Sequence, residues 1–392
     1  MLKSIYLDHA ATTPLDPDVL DQMTPWLTGE FGNADSTHHM GQAARVGIEE
    51  SRNRIADLIG ALPSEIIFTS GGTESNNAII RGAFAALGED RNRIITSPIE
   101  HHAVLHTVES LKRNGAEPVW LQPSECGRID PNQVREAITD KTLMVSLMHV
   151  NNEIGTFNPI SEIAAACREL GVLCHTDAVQ SGGKFTLDVR ELDVDFMSLS
   201  AHKFYGPKGI GLMYIREGSP WLPWVTGGAQ ERRRRGGTSN VAGAVGMAHA
   251  LYLATERIDD HFAHATALRT YLIRGLERTL KGAYTIHGPE NGENPYIVNV
   301  GFPMPEGVTI DGDMLLLNLD VEGVCVSNGS ACTSGAVEPS HVLAGIGVDD
   351  EEAKASLRIS FGPRNSTEDI DYFLEKLQIT LNRMKSSGEK PT

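Results

Sequence analysis

The chain has 392 residues, with 34 lysines and arginines against 51 aspartates and glutamates, and its formal net charge is −17. This acidity argues against nucleic acid as a direct partner, because phosphate backbones are bound by an excess of positive side chains. No apolar run approaches the roughly 18 residues of a membrane span, and the chain begins without a signal segment, so we expect a cytoplasmic protein that makes no membrane contact.

Strand and helix patterns alternate along most of the chain. Short apolar or β-branched runs predict strands near 66–69, 93–97, 118–121, 143–149, 172–176, 196–200 and 211–215. Helical periods lie between most of these runs, a pattern typical of an α/β domain with a mostly parallel, seven-stranded sheet. Ligands of such sheets bind at the carboxyl ends of the strands.

A long helical stretch over 241–281 leads to a second unit. Its further elements are strands predicted near 296–301, 324–327 and 357–361 and a last helix over 367–383. A chain of this length is expected to form two domains. We predict a large domain over 15–259 and a smaller α+β domain made of 1–14 and 260–392.

Two polar residues follow predicted strands. Lys203 lies among small residues in SAHKFYGP, 200–207, and Asp177 closes the strand before it. Pyridoxal phosphate needs a lysine that holds its aldehyde as a Schiff base and a carboxylate that keeps its pyridine nitrogen protonated. Each residue also has a common alternative role, since most lysines are solvated surface charges and an aspartate at a strand end often caps a helix or forms a turn.

The run EIIFTSGGTESNN, 65–77, leads from a strand through two glycines into a helical stretch. Glycines let the backbone approach a ligand closely, the N–H groups at a helix start favour an anion, and Ser70 and Thr73 add hydroxyl donors. The run therefore predicts a phosphate cradle, with a plain strand-to-helix turn as the alternative. It is neither a Walker A sequence nor a GxGxxG, so nucleotide binding has no separate support.

These runs, in this order, resemble the fold type I pyridoxal-phosphate enzymes of the class V aminotransferase family, and specifically the group I cysteine desulfurases of the NifS and IscS type. The resemblance covers nearly the whole chain. It is carried by YLDHAATTP at 6–14, SGGTES at 70–75, EHHAV at 100–104, HVNNEIG at 149–155, DAVQ at 177–180, SAHK at 200–203 and GSACTSG at 329–335. It implies pyridoxal 5'-phosphate as the cofactor, bound in the large domain.

The resemblance also implies how the cofactor ring would be held. Lys203 would bind its aldehyde and later move a proton, and Asp177 would pair with the pyridine nitrogen. His101 would stack on the ring, although a histidine beside His102 is by itself more typical of a loop or a helix start. Gln180 and Asn152 would form hydrogen bonds to the ring's oxygen substituent and its surroundings.

The phosphate and the substrate have their own implied residues. The phosphate would be held by Gly72, Thr73, Ser200 and His202. Thr238 would reach it from the neighbouring subunit of a homodimer. The substrate carboxylate would be held by Asn33, Asn152 and Arg358. Asn33 lies in GNADS, 32–36, where the family usually has GNPSS, so a proline-fixed turn is lost and a charge is added near the substrate entrance.

Two basic features can be interpreted from the residues alone. LRISF, 357–361, alternates and places Arg358 opposite three apolar side chains, and the planar fork of an arginine suits a carboxylate. An edge-strand arginine in water is the alternative. The run RRRR, 232–235, precedes GGT, 236–238, and is equally well explained as a solvated loop or as a segment at a subunit interface or near the phosphate.

Cys332 distinguishes a desulfurase from other enzymes of this fold. It lies in a run of small residues without apolar period, which predicts an accessible thiol on a loop, as sulfur transfer by a thiolate requires. The other cysteines, at 126, 167, 174 and 325, are interpreted as packing or incidental residues. Five cysteines without CxxC spacing indicate neither a zinc site nor a disulfide framework.

The implied reaction takes sulfur from L-cysteine, giving L-alanine and a persulfide on Cys332. The sulfur would then pass to an acceptor protein, which is an iron-sulfur scaffold, a tRNA-thiolation protein or a protein of a nitrogenase-related pathway. No intrinsic metal is expected, and whether Cys332 shares a cluster with a scaffold stays open. The rivals are an aminotransferase, which gives Cys332 no task, a selenocysteine lyase, and a non-catalytic scaffold, against which the intact Lys203, Asp177 and Cys332 argue.

Overall fold

A computed structural model describes residues 4–289, 292–303, 310–328 and 339–388, and for 385–388 it describes the backbone alone. The strands are β1 (Ile5–Tyr6), β2 (Ile66–Thr69), β3 (Arg93–Thr96), β4 (Glu117–Trp120), β5 (Thr142–Ser146), β6 (Leu173–Asp177), β7 (Phe196–Ser200), β8 (Gly211–Ile215), β9 (Thr285–His287), β10 (Ile297–Gly301), β11 (Val324–Cys325) and β12 (Ser356–Ser360). All strands predicted from the sequence are present, with ends shifted by a few residues.

The helices connect and cover these strands. They are α1 (Pro17–Thr28), α2 (His39–Leu58), α3 (Gly72–Leu87), α4 (His102–Leu111), α5 (Pro131–Ala137), α6 (Ile160–Glu169), α7 (Val189–Leu192), α8 (Val241–Glu256), α9 (Ile258–Leu280), α10 (Gly312–Val321), α11 (His341–Gly345), α12 (Asp350–Lys354) and α13 (Thr367–Gly388). The helical stretch predicted over 241–281 is two helices, because the backbone of Arg257 (φ −114°, ψ 12°) leaves the helical conformation between them. Within the described ranges, no helix is long and apolar enough to cross a membrane.

The main sheet has seven strands in the order β2-β8-β7-β6-β5-β3-β4. The neighbours from β7 to β4 pair in parallel, and β8 runs antiparallel to both β2 and β7. The predicted mostly parallel sheet is therefore confirmed. Its parallel strands all place their carboxyl ends at the same edge, where the candidate site lies.

Helices cover both faces of this sheet, and the strands are apolar on both sides for that reason. Ile94 and Phe196 belong to the core on one face, whereas their chain neighbours Ile95 and Met197 belong to the core on the other. Strands β5, β7 and β8 are buried along their whole length. Burial on two sides explains why these strands appear in the sequence as short continuous apolar runs.

A second core lies around a three-stranded antiparallel sheet, β12-β10-β9, which the helices α9, α10 and α13 accompany. Strand β1 pairs in parallel with β11, and Leu7 packs in this core together with Leu357 and Ile359. The start of the chain thus joins the unit formed by its end. The domain boundaries at 14 and 259 stay a prediction. Strand β9 was not predicted, because its three residues, of which one is a histidine, carry no apolar period.

The arginine run at 232–235 is bound to its own chain. Arg232 and Arg234 donate to the backbone carbonyls of Pro63 (3.0 Å) and Ser64 (2.9 Å). Arg235 holds the carboxylate of Glu74 through two hydrogen bonds, of 2.8 and 3.1 Å. Arg232 and Arg233 are nevertheless exposed, so the run is held by its own chain and partly solvated, and the choice between its two interpretations stays a prediction.

Glu231, just before this run, is the buried anchor of the loop. Its carboxylate accepts hydrogen bonds of 2.7 and 2.9 Å from Arg52 and one of 3.0 Å from the backbone N–H of Phe68. The side chains of Arg52 and Glu231 are only 3% and 6% exposed. Glu231, Arg232 and Arg233 have positive φ angles of 45°, 55° and 66°, a conformation that costs a non-glycine residue energy and needs such contacts to persist.

We predict that Glu231→Gln lowers the free energy of unfolding by about 3 kcal/mol, because it leaves the buried guanidinium of Arg52 without its charge partner. Glu49 is the matched control, since it also contacts Arg52 (3.2 Å) but is 43% exposed. Glu49→Gln should cost less than about 1 kcal/mol. Urea unfolding of the two variants measures the difference, and equal losses would contradict the assignment of Glu231 as the anchor.

Candidate active site

Most of the predicted site residues meet at one cavity of about 320 Å³ at the carboxyl ends of β6 and β7. Those that line it are Gly72, Thr73, His101, Asn152, Asp177, Gln180, Ser200, His202, Lys203 and Arg358. A larger cavity of about 660 Å³ lies behind the Lys203 turn, around Tyr205 and Arg257, but none of the predicted residues lines it. The chemical groups, and not the volume, identify the smaller cavity as the candidate site.

Lys203 lies in a short 3₁₀ turn directly after β7. Its Nζ donates hydrogen bonds to the backbone carbonyls of Ala10 (2.6 Å) and Ala11 (2.8 Å). Burial, reinforced by the positive charge of Arg358, lowers the pKa of Lys203 from 10.5 to about 8. A substantial fraction of this amine is therefore neutral near physiological pH, as addition to an aldehyde requires.

Asp177 is the last residue of β6 and is buried. Its Oδ2 accepts a hydrogen bond of 2.6 Å from Nδ2 of Asn76, and its Oδ1 accepts one of 3.0 Å from the backbone N–H of Val179. These two bonds fix the carboxylate at the wall of the cavity. No helix begins at this residue among the described elements, so Asp177 is not a helix cap, but its bond from Val179, two residues on, is that of a turn-forming aspartate.

His101 is the N-terminal cap of α4. The backbone N–H of Ala103 donates to its Nδ1 at 3.0 Å, so the ring's proton lies on Nε2 when the histidine is neutral. Burial lowers the pKa of His101, an effect that the charge of Asp177 opposes. This capping bond orients the imidazole of His101 at the cavity. The sequence alone did not show which of the two adjacent histidines, His101 or His102, is the cap.

The glycines at 71 and 72 open the start of α3 toward the site. Gly71 has φ +149°, and a Cβ on Gly72 would lie 2.7 Å from Cγ2 of Val179. A second cavity of about 370 Å³ adjoins the first here and shares Gly72, Thr73, Ser200 and His202 with it. The first N–H groups of a helix of this length, with hydroxyls beside them, favour a phosphate.

These observations fit pyridoxal phosphate. The site offers a buried lysine of lowered pKa, an aspartate held by two donors, and an anion-binding helix start that adjoins the same cavity. Oδ1 of Asn152, at the cavity, is buried without a hydrogen-bond partner among the described residues. A bound ligand that donates a hydrogen bond would satisfy this oxygen.

Arg358 lies on β12 with its side chain 6% exposed, so the alternative of a solvated edge-strand arginine is wrong. It donates to the carbonyl of Asn152 (2.9 Å) and to Oδ1 of Asp8 (3.0 Å). Glu153 lines the same cavity, and its carboxyl accepts a hydrogen bond from Ser340. Burial raises the pKa of Glu153 to about 7, although that bond and the charge of Arg358 oppose the rise.

Two of the predicted residues that the structure describes are not brought to the cavity. Asn33 and Thr238 are exposed and do not line it in the single chain. Cys332 lies outside the described residues. In the part of the chain that the structure describes, no group of three or more histidines, cysteines or acids is arranged to hold a metal ion.

Sequence reasoning missed several contributors. The carbonyls of Ala10 and Ala11, Asp8, and the amide of Asn76 all contact predicted site residues. Lys184, four residues beyond Gln180, donates to its Oε1 at 2.9 Å, and Nε2 of Gln180 donates to the carbonyl of Ala10. The motif at 6–14 was the available signal for Asp8, Ala10 and Ala11, but its residue types suggest no chemistry by themselves.

Comparison with known proteins identifies the family of the chain. The family described as "Aminotransferase class-V" matches residues 5–373. The chain belongs to the class V aminotransferase family. Enzymes of this family depend on pyridoxal phosphate, in agreement with the residues gathered at the cavity.

Individual relatives are similar over nearly the full length. The "Cysteine desulfurase IscS" of Dictyoglomus turgidum is 45% identical, over 98% of this chain and 96% of its own. A solved "NIFS-like protein" superposes with a TM-score of 0.90 at 36% identity, covering 97% of this chain and 100% of its own. A structure of "SspA in complex with cysteine" superposes with a TM-score of 0.77 at 36% identity, covering 93% and 100%.

The lowered pKa of Lys203 predicts how the class V site captures its cofactor. The rate at which the apoprotein captures pyridoxal phosphate should rise with pH, reach half of its maximum near pH 8 and level off above that, because the neutral amine is the reacting form. Borohydride trapping at a series of pH values measures this rate. Arg358→Gln should move the midpoint upward, since it removes a cation that disfavours protonation of Lys203. The prediction would be contradicted if the capture rate of the unsubstituted protein had its midpoint near pH 10.5, the ordinary pKa of a lysine.

Proposed function

We propose that this protein is a cysteine desulfurase, which removes sulfur from L-cysteine, releases L-alanine and leaves a persulfide on Cys332. The observation that carries the proposal is the placement of Lys203, Asp177 and Arg358 around one cavity. The names of its relatives support the choice of reaction, and the cysteine bound to a structural neighbour supports the choice of substrate.

The residues of the cavity can each be given a task. Lys203 would hold the cofactor aldehyde and then, once the substrate amine has displaced it, move the α-proton. Asp177, oriented by Asn76 and Val179, would hold a proton on the pyridine nitrogen. His101 would cover the ring. Pyridoxal phosphate, when bound, supplies the electron sink that lets the substrate α-carbon lose its proton.

The remaining polar groups would position the phosphate and the substrate. Gly72, Thr73, Ser200 and His202 adjoin the helix start that favours a phosphate. Arg358 would bind the substrate carboxylate through its guanidinium fork, together with Asn152 and Asn33. Gln180 would hold the ring's oxygen substituent, and its amide orientation is set by Lys184 on one side and by the Ala10 carbonyl on the other.

Sulfur transfer exchanges the carbon–sulfur bond of the substrate for a sulfur–sulfur bond on the enzyme. The thiolate of Cys332 attacks the sulfur of L-cysteine, the new S–S bond forms, and the carbon–sulfur bond breaks with its electron pair left on the substrate carbon. Protons returned to the substrate complete L-alanine, so that L-cysteine and a thiol give L-alanine and a persulfide without any external oxidant. Only a thiolate that can leave the cavity with its cargo can then pass sulfur on.

The sulfur would pass to an acceptor protein in iron-sulfur cluster assembly or in tRNA thiolation, within the cytoplasm. The acidic surface of the chain suits a protein partner better than a direct nucleic-acid partner. We further propose that the protein is a homodimer. Thr238 is exposed and does not line the cavity of its own chain, which leaves its side chain available to the phosphate site of a second subunit.

We predict that Cys332→Ser abolishes alanine release and protein-bound sulfur while cofactor binding survives, because a serine hydroxyl is too weakly acidic to replace a thiolate. The loss should exceed about 100-fold, the scale expected when a catalytic nucleophile is removed. Alanine, persulfide and cofactor absorbance are measured on the same preparation. Lys203→Ala should instead lose covalent capture of the cofactor together with turnover.

Cys325→Ser is the matched control, since Cys325 is a half-buried thiol in β11 and should keep full activity. Persulfide formed by Cys332→Ser at the rate of the unsubstituted protein would show that another cysteine is the acceptor. Exchange that depends on a keto acid, without sulfide or alanine from cysteine, would instead support an aminotransferase.

Light scattering should give a dimer, and Thr238→Ala should weaken cofactor binding by about 1 kcal/mol, or about fivefold in Kd, the scale of one hydrogen bond. Ser239→Ala, in the same loop, is the control and should leave the Kd unchanged. The measurement is a titration of the apoprotein with pyridoxal phosphate. A monomer with full desulfurase activity at low concentration would refute the shared site.

A further inference from the structure

Arg358 is a buried cation that already has an anionic partner. Its Nη2 donates to Oδ1 of Asp8 at 3.0 Å, and the two side chains are 6% and 18% exposed. Its Nη1 donates to the backbone carbonyl of Asn152 at 2.9 Å. The guanidinium is therefore held on two sides, by one carboxylate and one carbonyl, at the wall of the cavity.

The same guanidinium retains unused capacity. Its Nε is buried without a hydrogen-bond partner among the described residues. An arginine carries five N–H donors, and a carboxylate is the group that best satisfies several of them together. A further carboxylate that binds Arg358 would therefore share the guanidinium with Asp8.

The other charges around Arg358 leave Asp8 as its balancing partner. Lys203 and Lys184 are both close enough to Arg358 for its positive charge to lower their pKa values, so they add no negative charge. Glu153 is the second carboxyl nearby, but its contact is the hydrogen bond from Ser340, and burial raises its pKa to about 7. Asp8 is the carboxylate in direct contact with the guanidinium.

We propose that Asp8 is the resident counter-ion of Arg358, a positioning residue that competes with the carboxylates of substrate and product for the guanidinium. This inference rests on the proposed role of Arg358 as the carboxylate-binding residue. Asp8 balances the charge of Arg358 in the empty site, holds the fork in one orientation, and repels a bound carboxylate enough for the product to leave. Without Asp8 the buried cation is uncompensated and takes up carboxylates more tightly.

The test is the binding of propionate to the holoenzyme by isothermal titration calorimetry. Asp8→Asn should bind propionate roughly tenfold more tightly than the unsubstituted protein, as expected when a like charge a few ångströms away is removed. Propionamide, which has the same shape without the charge, should show no gain. With L-cysteine, kcat and KM should both fall, because the substrate and the product are held too tightly.

Asp16→Asn makes the same chemical change in the same segment, where Asp16 caps α1 outside the cavity, and it should leave propionate affinity unchanged. The double variant Asp8→Asn, Arg358→Gln should lose the gain. An unchanged affinity in Asp8→Asn, an equal gain with propionamide or in Asp16→Asn, or a gain that survives the double variant would overturn the inference.

Folding of the variants supplies a second readout. If Asp8→Asn does not fold, the cause on this proposal is the uncompensated cation, so the added Arg358→Gln should restore folding, and failure to do so would overturn the inference. The proposed function is tested separately by alanine release from the unsubstituted protein. A protein that releases no alanine but gains propionate affinity in Asp8→Asn would refute the desulfurase and keep the counter-ion.

Discussion

A buried amine must have its protons accepted, and in this protein the backbone carbonyls of Ala10 and Ala11 accept those of Lys203. The same short segment also gives Asp8 to Arg358, the Ala10 carbonyl to Gln180 and the hydroxyl of Thr12 to His202. Arg358 lies on β12, whereas Gln180 lies in the turn after β6 and His202 and Lys203 lie in the turn after β7. The positions of these cavity residues therefore depend on contacts with the segment 8–12 near the start of the chain.

The segment 8–12 is fixed by contacts on both of its sides. Strand β1 pairs with β11, and Leu7 packs in the core of the smaller sheet, which fixes the segment before residue 8. Beyond it, the N–H and the hydroxyl of Thr13 donate to the carbonyl of His202, and its hydroxyl accepts from the N–H of Tyr205. The chain is thus pinned on both sides of the groups that face Lys203, and the amine is held in one position.

The sequence predicted the main sheet well because most of its strands are short runs that are apolar on both faces, and because Asp177 closes one such run and Lys203 comes shortly after another. It also predicted Arg358, whose neighbours alternate. The contact of Arg358 with Asp8 spans 350 residues and has no local signature. The carbonyls that hold Lys203 belong to alanines, whose side chains carry no information about hydrogen bonding. The anchoring of the arginine run depends on Arg52 and Glu74, which lie far upstream and have no pattern in common with it.

The use of backbone carbonyls beside Lys203 sets which kinds of genetic change the site tolerates. Replacing either alanine by another residue leaves the carbonyl where it is, provided the new side chain fits the packing around it. Losing or adding one residue between β1 and Thr13 moves both carbonyls out of register with the amine, since β1 and Thr13 are fixed. In this stretch, conservation of length should therefore be stricter than conservation of residue identity.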